Sequence, residues 1–160
     1  MLYTQLTKKA INIAYNKHNG QIGKDGIPYF CHPYHVAERI DEVCERTNMS
    51  KKEHEALICI AFLHDILEDT DMTVNELYQE GFSDNIIHAI IALTRRKRET
   101  YQDYIERCGE NTYAAVVKTF DLIHNMNLNR LDAPTDVDKK RYEKYKKALD
   151  LLNTSKGDES

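Results

Sequence analysis

A histidine and three carboxylates stand close together in the stretch AFLHDILEDT, residues 61–70. If this stretch is helical, His64 and Glu68 are neighbours one turn apart, and the same holds for Asp65 and Asp69. Three carboxylates at such spacing repel one another unless a positive charge lies among them. A divalent cation would supply that charge, with the imidazole as a neutral ligand. A polar helix end with solvated acids is the alternative, and it would be the better reading of an isolated His-Asp pair.

Two other segments hold residues of the same chemical types. In PYFCHPYHVAE, His32 precedes Pro33, and because proline suits the first helical position, we expect His32 at a helix start. In VVKTFDLIHNM, Asp121 falls within an otherwise apolar helix, where an unpaired carboxylate is costly to bury. Asn125 lies one turn further on the same face. Together with the His-Asp pair these segments offer one cation two nitrogen and two oxygen ligands: His32, His64, Asp65 and Asp121.

The elements that must position these residues are predicted to be helices. Apolar residues recur at helical spacing along nearly the whole chain, and no alternating strand pattern is present. Capping boxes at Ser50–Glu53 and Thr73–Glu76 mark two helix starts. Further helices are expected to begin after Ser83, near Glu99, after Asn111 and around Asp138. We therefore predict an all-α fold, a single compact multi-helix bundle.

Length and composition limit the class of protein. With 160 residues, of which 41% are hydrophobic, the chain suits one domain, expected over residues 1–153, and we predict a polar, disordered tail over residues 154–160. A net charge of -4 argues against a nucleic-acid partner. No apolar run approaches the roughly 20 residues of a membrane span, and the first residues do not resemble a signal peptide. The four cysteines form no CxxC pair, so we expect reduced thiols and a cytoplasmic location.

One segment is predicted to be irregular, the glycine- and proline-rich stretch NGQIGKDGIPYFCHP, residues 19–33. Its Gly23 and Lys24 invite comparison with a phosphate-binding P-loop. That comparison fails because Asp25 stands where a serine or threonine is needed and no strand precedes the glycines. We expect a shaped loop that leads into the helix of His32.

Three segments together resemble a known family: GQIGKDGIPYFCHPYHVAE, AFLHDILEDT and VKTFDLIHNM. Their order and intervals, over residues 18–130, are similar to those of the HD-domain metal-dependent phosphohydrolases. Within that superfamily the chain most resembles the hydrolase domain of the RelA/SpoT homologs and their small stand-alone relatives. Those enzymes remove pyrophosphate from the 3′ position of (p)ppGpp. The resemblance implies an HD-domain bundle and a metal-dependent 3′-pyrophosphohydrolase.

The resemblance also implies a role for each residue of the centre. Carried over by position, the metal ligands would be His32, His64, Asp65 and Asp121, holding one divalent ion. Family members commonly use Mn²⁺, although such a ligand set equally suits Fe, Co, Ni or Zn. A bound ion lowers the pKa of water and polarises the attacked phosphoryl oxygen. Glu68 and Asp69 match a Glu-Asp pair with general acid-base function: one would guide the water and the other protonate the leaving 3′ oxygen, in an order left open.

Several residues are candidates for binding a phosphorylated nucleotide. Asn125 matches an asparagine that contacts the nucleotide in the family. Arg95 and Lys97 in TRRKRET could bind phosphate groups, with a solvated basic helix end as an equal alternative. Lys24 and Lys118 are weaker candidates for the same role.

Two positions depart from the family pattern. The family usually carries an arginine that packs on the guanine base where this chain has Gly23, and the neighbouring Lys24 lacks a planar face. Leu122 likewise replaces an arginine. The metal and hydrolytic centre are therefore expected to be intact, whereas recognition of the base is not.

Three functions follow from these residues. The first is hydrolysis of the 3′-pyrophosphate of guanosine alarmones; the second is the same chemistry on another phosphorylated nucleotide or cofactor. The third is a non-catalytic, metal-stapled module that binds a nucleotide or a protein. The length leaves no room for a synthetase domain, so an alarmone enzyme of this kind is expected to degrade and not to make its substrate. The oligomeric state is left open.

Overall fold

The protein is described over residues 1–154 by a computed structural model, and these residues form nine α-helices and a 3-10 turn at Leu128–Arg130. The helices are α1 (Gln5–Lys17), α2 (Cys31–Glu45), α3 (Lys51–Leu63), α4 (Ile66–Asp69), α5 (Val74–Gln79), α6 (Asp84–Ala92), α7 (Tyr101–Gly109), α8 (Thr112–Met126) and α9 (Asp136–Thr154). Within the same residues there is no β-strand, and a lone bridge joins Ile22 to Pro28. The prediction of an all-α bundle is confirmed.

The helix starts agree with the capping signals of the sequence. The Ser50 hydroxyl accepts from the backbone N–H of Glu53, whose carboxylate accepts in return from the backbone N–H of Ser50 at 3.0 Å. Thr73 and Glu76 form the same reciprocal pair before α5. Both boxes are local in sequence, so they fix the chain direction before any tertiary contact forms.

Helix α3 is the centre of the bundle and packs against α1, α2, α6 and α8. Every residue from position 56 to position 63 is buried, which is the pattern of a helix covered on all sides. Because α3 ends inside the protein, the residue that follows it, His64, is only 2% exposed.

The expectation of one continuous helix through residues 64–69 is wrong. Helix α3 ends at Leu63, and α4 is a separate turn that begins after Asp65, where φ is −102° and ψ is 3°. Aspartate favours such helix ends because its side chain competes with the backbone inside a helix. The Asp65 carbonyl accepts from the N–H of Asp69 at 2.9 Å and so starts the new turn.

The loop between α1 and α2 is folded on itself. The N–H of Gly23 donates to the Ile27 carbonyl at 2.8 Å, and Gly26 returns the chain with a φ of +79°, which favours glycine. The Asp25 carboxylate in this loop lies 2.6 Å from an Arg130 guanidinium nitrogen. The loop is therefore tied to the 3-10 turn that follows α8.

Some predictions concern the limits of the chain. The tail predicted over residues 154–160 begins at the last residue of α9, and residues 155–160 lie outside the described residues. The domain boundary at residue 153 stays a prediction. Among residues 1–154, no helix has both the length and the apolar character needed to cross a membrane. The four cysteines are free thiols.

Candidate metal centre and active site

The structure brings the four predicted ligands together from α2, the α3–α4 junction and α8. His32 Nε2 lies 3.0 Å from Asp121 Oδ1 and 3.2 Å from His64 Nε2. His64 Nε2 in turn lies 3.0 Å from Asp65 Oδ2 and 3.8 Å from Asp121 Oδ1. Two nitrogens and two carboxylate oxygens therefore face one another at the base of a cleft.

The spacing of these donor atoms fits a small divalent cation. Bonds of about 2.1 Å to N or O ligands place adjacent donor atoms roughly 3 Å apart. The observed separations are close to that value, and donor atoms of His32, His64 and Asp65 all lie within 4.8 Å of one another. The two carboxylates match the charge of a divalent ion. Mixed imidazole and carboxylate donors do not select one metal.

Each histidine presents its Nε2 atom to the centre because its Nδ1 atom is bonded elsewhere. His64 Nδ1 donates to the Ala61 carbonyl at 2.7 Å, so the ring in its neutral form directs a lone pair from Nε2. His32 Nδ1 lies 2.7 Å from His124 Nδ1. Burial, His32 and Arg130 lower the pKa of His124 to about 3, so His124 is neutral and can accept from His32 Nδ1.

Asp121 is held on both of its oxygens. Lys118 Nζ donates to Oδ2 at 2.8 Å, and Asn125 Nδ2 donates to Oδ1 at 2.7 Å. Burial alone would raise the pKa of Asp121, but Lys118 and the histidines hold it well below its usual range. Lys118, considered above for phosphate binding, holds this carboxylate and also lines the cleft, with its ammonium 5.0 Å from the Tyr104 ring centroid.

The centre attracts positive charge strongly. Burial alone would lower the pKa of His64, yet Asp65 and Asp121 raise it to about 9. Burial alone would raise the pKa of Asp65, and His64 lowers it below its usual range. The hydroxyl of Tyr29 also donates to Asp65 Oδ2. A proton on His64 and a metal cation therefore compete for the same carboxylates.

Glu68 and Asp69 lie on α4 at the edge of the same cleft. Glu68 Oε1 accepts from the backbone N–H of Arg95 at 2.8 Å, which fixes its direction. Burial by the cleft walls, then the charges of Asp65 and Glu68, raise the pKa of Asp69 to about 6. Asp69 can therefore exchange a proton near neutral pH, as general acid-base chemistry requires.

A cavity of about 320 Å³ opens above the centre. Beside the acids of the centre and the acids Asp25 and Asp138, its wall carries cationic and polar side chains: Lys24, Asn125, Arg130, Arg141 and Tyr145. Arg141 pairs with Asp138 at 3.0 Å, and Arg130 pairs with Asp25. Such a wall suits an anionic, phosphate-bearing ligand.

Of the four residues predicted to contact substrate, two line this cavity and two do not. Lys24 and Asn125 belong to the wall. Lys97 is exposed and outside it. Arg95 also lies outside the wall: its guanidinium donates to the Glu99 carbonyl at 3.1 Å and lies over the Tyr101 ring. Phosphate binding by Arg95 and Lys97 stays a prediction.

The two departures from the family pattern differ in their surroundings. Leu122 is fully buried in the hydrophobic core, so its side chain does not face the cavity. Gly23 does line the cavity, and a Cβ atom there would lie 2.6 Å from Asp25 Oδ1. Because Arg130 holds Asp25 in place, a side chain at position 23 would have to displace that carboxylate.

Sequence reasoning missed several residues of the site. Tyr29 and Asp65 are 36 residues apart, and Arg130 meets Asp25 across 105 residues. Arg141 and Tyr145 reach the cavity from α9. The i,i+4 spacing of these last two residues on one helix was the only available signal for a shared face.

Comparisons with known proteins were consistent with this geometry. The sequence model of the HD domain family matches residues 29–148. The chain is 30% identical over 127 residues to a guanosine-3′,5′-bis(diphosphate) 3′-pyrophosphohydrolase of Aquifex aeolicus, covering 74% of this chain and 17% of that protein. It is 33% identical over 132 residues to the GTP pyrophosphokinase rsh of Brucella ovis, covering 76% of this chain and 16% of that protein. The chain thus spans less than a fifth of the length of these relatives.

A solved structure is also similar. It is that of a metazoan ortholog of SpoT that hydrolyses ppGpp, with a TM-score of 0.75 and 23% sequence identity. The similarity covers 95% of this chain and 88% of the other. At this level of identity it shows that the two chains share a fold.

Proposed function

Because the chain belongs to the HD domain family, we propose that it is a metal-dependent phosphohydrolase that removes the 3′-pyrophosphate of guanosine alarmones such as ppGpp. The observation that carries the proposal is the convergence of two imidazoles and two carboxylates below a cavity with a cationic wall. The substrate class is supported by the Aquifex aeolicus relative, which is named as a ppGpp 3′-pyrophosphohydrolase.

The residues present fit one divalent cation, with Mn²⁺ as our proposal from the family resemblance. It would be held by His32, His64, Asp65 and Asp121. When bound, such an ion lowers the pKa of water and polarises a phosphoryl oxygen. The bonds from His64 to Ala61 and from Lys118 to Asp121 orient the ligands before any ion binds.

We assign the proton transfers to Asp69 and the orientation of the attacking water to Glu68. A pKa of about 6 leaves the Asp69 carboxylate mostly ionised at neutral pH, able to take a proton from water and return it to the leaving 3′ oxygen. Glu68 lines the cleft, and its Oε1 is fixed by the Arg95 N–H, so in this proposal Oε2 orients the water. This is the assignment we propose for two roles that the sequence left open.

The cationic wall would hold the phosphate groups. Lys24 and Arg141 line the cavity, and Asn125 offers an amide to a ribose hydroxyl or phosphate. Positioning the scissile phosphate between these groups and the ligands is itself a large part of phosphoryl-transfer catalysis.

A second substrate class is favoured by the glycine at position 23. With no side chain there, the cavity lacks a group that could stack on a base at this point. The same chemistry on another phosphorylated nucleotide or cofactor is therefore our second candidate. A metal-stapled binding module without turnover is the third.

The test is to incubate the purified chain and MnCl₂ with ppGpp and to measure GDP and pyrophosphate, beside nucleoside mono-, di- and triphosphates. We expect ppGpp to be the preferred substrate. Turnover of another nucleotide alone would support the second candidate. If the protein binds Mn²⁺ but hydrolyses none of these nucleotides, only the third candidate remains. For an active enzyme, we expect Glu68→Gln to stop turnover while Mn²⁺ stays bound.

A further inference from the structure

We propose that Tyr29 is a positioning residue of the metal centre, which acts by holding the Asp65 carboxylate in its ligating orientation. The affinity of the centre for a divalent cation would then depend on the loop between α1 and α2. The inference rests on the proposed metal site and not on the identity of the substrate.

The two carboxylate ligands differ in how they are supported. Asp121 accepts hydrogen bonds from Lys118 and Asn125 in addition to its contact with His32. Asp65 has, among residues 1–154, one side-chain donor besides its neighbouring ligand His64, and that donor is the Tyr29 hydroxyl. The orientation of the Asp65 carboxylate therefore depends on one residue, Tyr29, whereas that of Asp121 is shared between two supporting residues.

The dependence is greater because Asp65 lies at a break in the helix. Its backbone is outside the helical region, with φ −102° and ψ 3°, between the end of α3 and the start of α4. Helical neighbours on either side thus do not restrict its side chain as they restrict that of Asp121 within α8. The phenol of Tyr29, whose pKa is raised by burial and by Asp65, stays protonated and donates to the carboxylate.

The ring of Tyr29 is itself fixed. Its centroid lies 4.9 Å from that of His18 and 5.6 Å from that of the ligand His32. The backbone N–H of Tyr29 donates to the Gln21 carbonyl at 2.9 Å. A hydroxyl on so constrained a ring can hold its partner at little further cost in conformational entropy.

The same loop also holds the far end of the segment 65–69. Gln21 Nε2 donates to the Asp69 carbonyl at 2.9 Å, which leaves Gln21 Oε1 to accept from His18 Nδ1 at 2.8 Å. His18 is only 2% exposed. One loop therefore clamps the ligand Asp65 through Tyr29 and the backbone of Asp69 through Gln21.

The test is Tyr29→Phe, with Mn²⁺ affinity measured by calorimetry and by the signal of free Mn²⁺ in electron paramagnetic resonance. Loss of such a supporting bond typically costs about 10- to 100-fold in metal affinity, and we expect a loss in that range. The melting temperature of the metal-free variant should stay close to that of the wild type, because the ring contacts remain.

Tyr34→Phe is the matched control. Tyr34 packs against Phe30 and Phe62, and its hydroxyl has no hydrogen-bond partner among the described residues. The Tyr34→Phe variant also removes a phenol hydroxyl, from the first turns of α2, the helix that Tyr29 precedes. It should leave the Mn²⁺ affinity unchanged. Equal losses in the two variants would overturn the proposal.

A double-mutant cycle tests whether Tyr29 acts through Asp65. In an Asp65→Asn background, Tyr29→Phe should cause no further loss of affinity. An unchanged affinity in the single variant, or an equal further loss in the Asn background, would also overturn the inference. If the wild type binds Mn²⁺ but leaves ppGpp intact, the substrate proposal fails while the role of Tyr29 is still decided by these affinities.

Discussion

Asp69 shows how the chemistry of this site depends on the surroundings of single residues. Burial and the charges of Asp65 and Glu68 raise the pKa of Asp69 to about 6, whereas the side chain of its neighbour Glu68 is bonded through Oε1 to the backbone N–H of Arg95. Two adjacent acids of like chemistry can thus take different roles because their environments differ.

We predict that Asp69→Asn lowers kcat by about 10²- to 10⁴-fold, because the variant cannot move a proton. The Mn²⁺ affinity should change little, since Asp69 is not among the four converging ligands. The check is kcat and metal affinity on the same preparation. Asp71→Asn is the control, because Asp71 is exposed and its one ion-pair partner within residues 1–154 is Lys17. A variant that retains the wild-type kcat would remove Asp69 from the mechanism.

The pH dependence of the wild type should report the same group. Below its pKa of about 6 Asp69 is protonated and cannot accept a proton, so kcat/KM should rise as the pH increases through this range. A cation at Asp65 offsets part of the charge that raises this pKa, so the midpoint should lie at or below 6. In Asp69→Asn this limb of the profile should be absent.

Residue types at the centre were predictable, whereas their supporting contacts were not. A carboxylate inside an apolar helix, as at Asp121, is a local signal because burying it without a partner is costly. Tyr29 carries no comparable signal, since its partner is 36 residues away and comes into contact only when the bundle forms.

At the scale of elements, the connection from α6 to α7 is organised by one arginine. Arg107 on α7 donates to both oxygens of Glu99 at 2.7 and 2.9 Å. It also donates to the carbonyls of Ala92 at 3.0 Å and Thr94 at 2.9 Å, at the end of α6. The connection so fixed carries the Arg95 N–H that bonds to Glu68.

We predict that Glu99→Gln destabilises the fold by about 2 kcal/mol at pH 7, the range for hydrogen bonds to charged groups. Arg107 lowers the pKa of Glu99 to about 2 from an ordinary value of 4.5. The carboxylate therefore contributes its full stability above pH 4.5 and loses it as the pH falls towards 2. Urea denaturation at pH 7 and pH 3 should show the gap between variant and wild type narrowing at the lower pH.

The control is Glu106→Gln, on the exposed face of α7, where the carboxylate accepts from Gln102 and from no other side chain of the described part of the protein. Its effect should be within about 0.5 kcal/mol at either pH. A gap for Glu99→Gln that stayed constant between the two pH values would mean that the pair with Arg107 does not stabilise the ionised carboxylate.

Elements were predictable where their signals are local. Each of the capping boxes before α3 and α5 lies within four consecutive residues, so their positions could be predicted from the local sequence alone. The break at Asp65 did not, because the contacts that turn its side chain to the cleft come from the α1–α2 loop and from His64. The helical spacing of the apolar residues continues through this point and gives no signal of the break.

At the scale of the whole molecule, the four ligands come from parts of the chain that are far apart in sequence and meet because their helices pack together in the core. His32 comes from α2, Asp65 from the junction between the central α3 and α4, and Asp121 from α8. A cation bound to all of them would cross-link three packed elements. It would bind the folded chain and not the unfolded one.

We therefore predict that Mn²⁺ stabilises the entire fold. At a free concentration of 100 times its Kd, a ligand specific for the folded state adds about 2.7 kcal/mol. The melting temperature should rise on addition of MnCl₂ and fall again with a chelator, with one cooperative transition in each case. In Asp121→Asn, where one ligand is lost, the same concentration should give a much smaller shift. An equal rise in melting temperature in both proteins would mean that the ion stabilises the chain from another site. Binding at His32, His64 and Asp65 requires the carboxylate of Asp121, which the variant lacks.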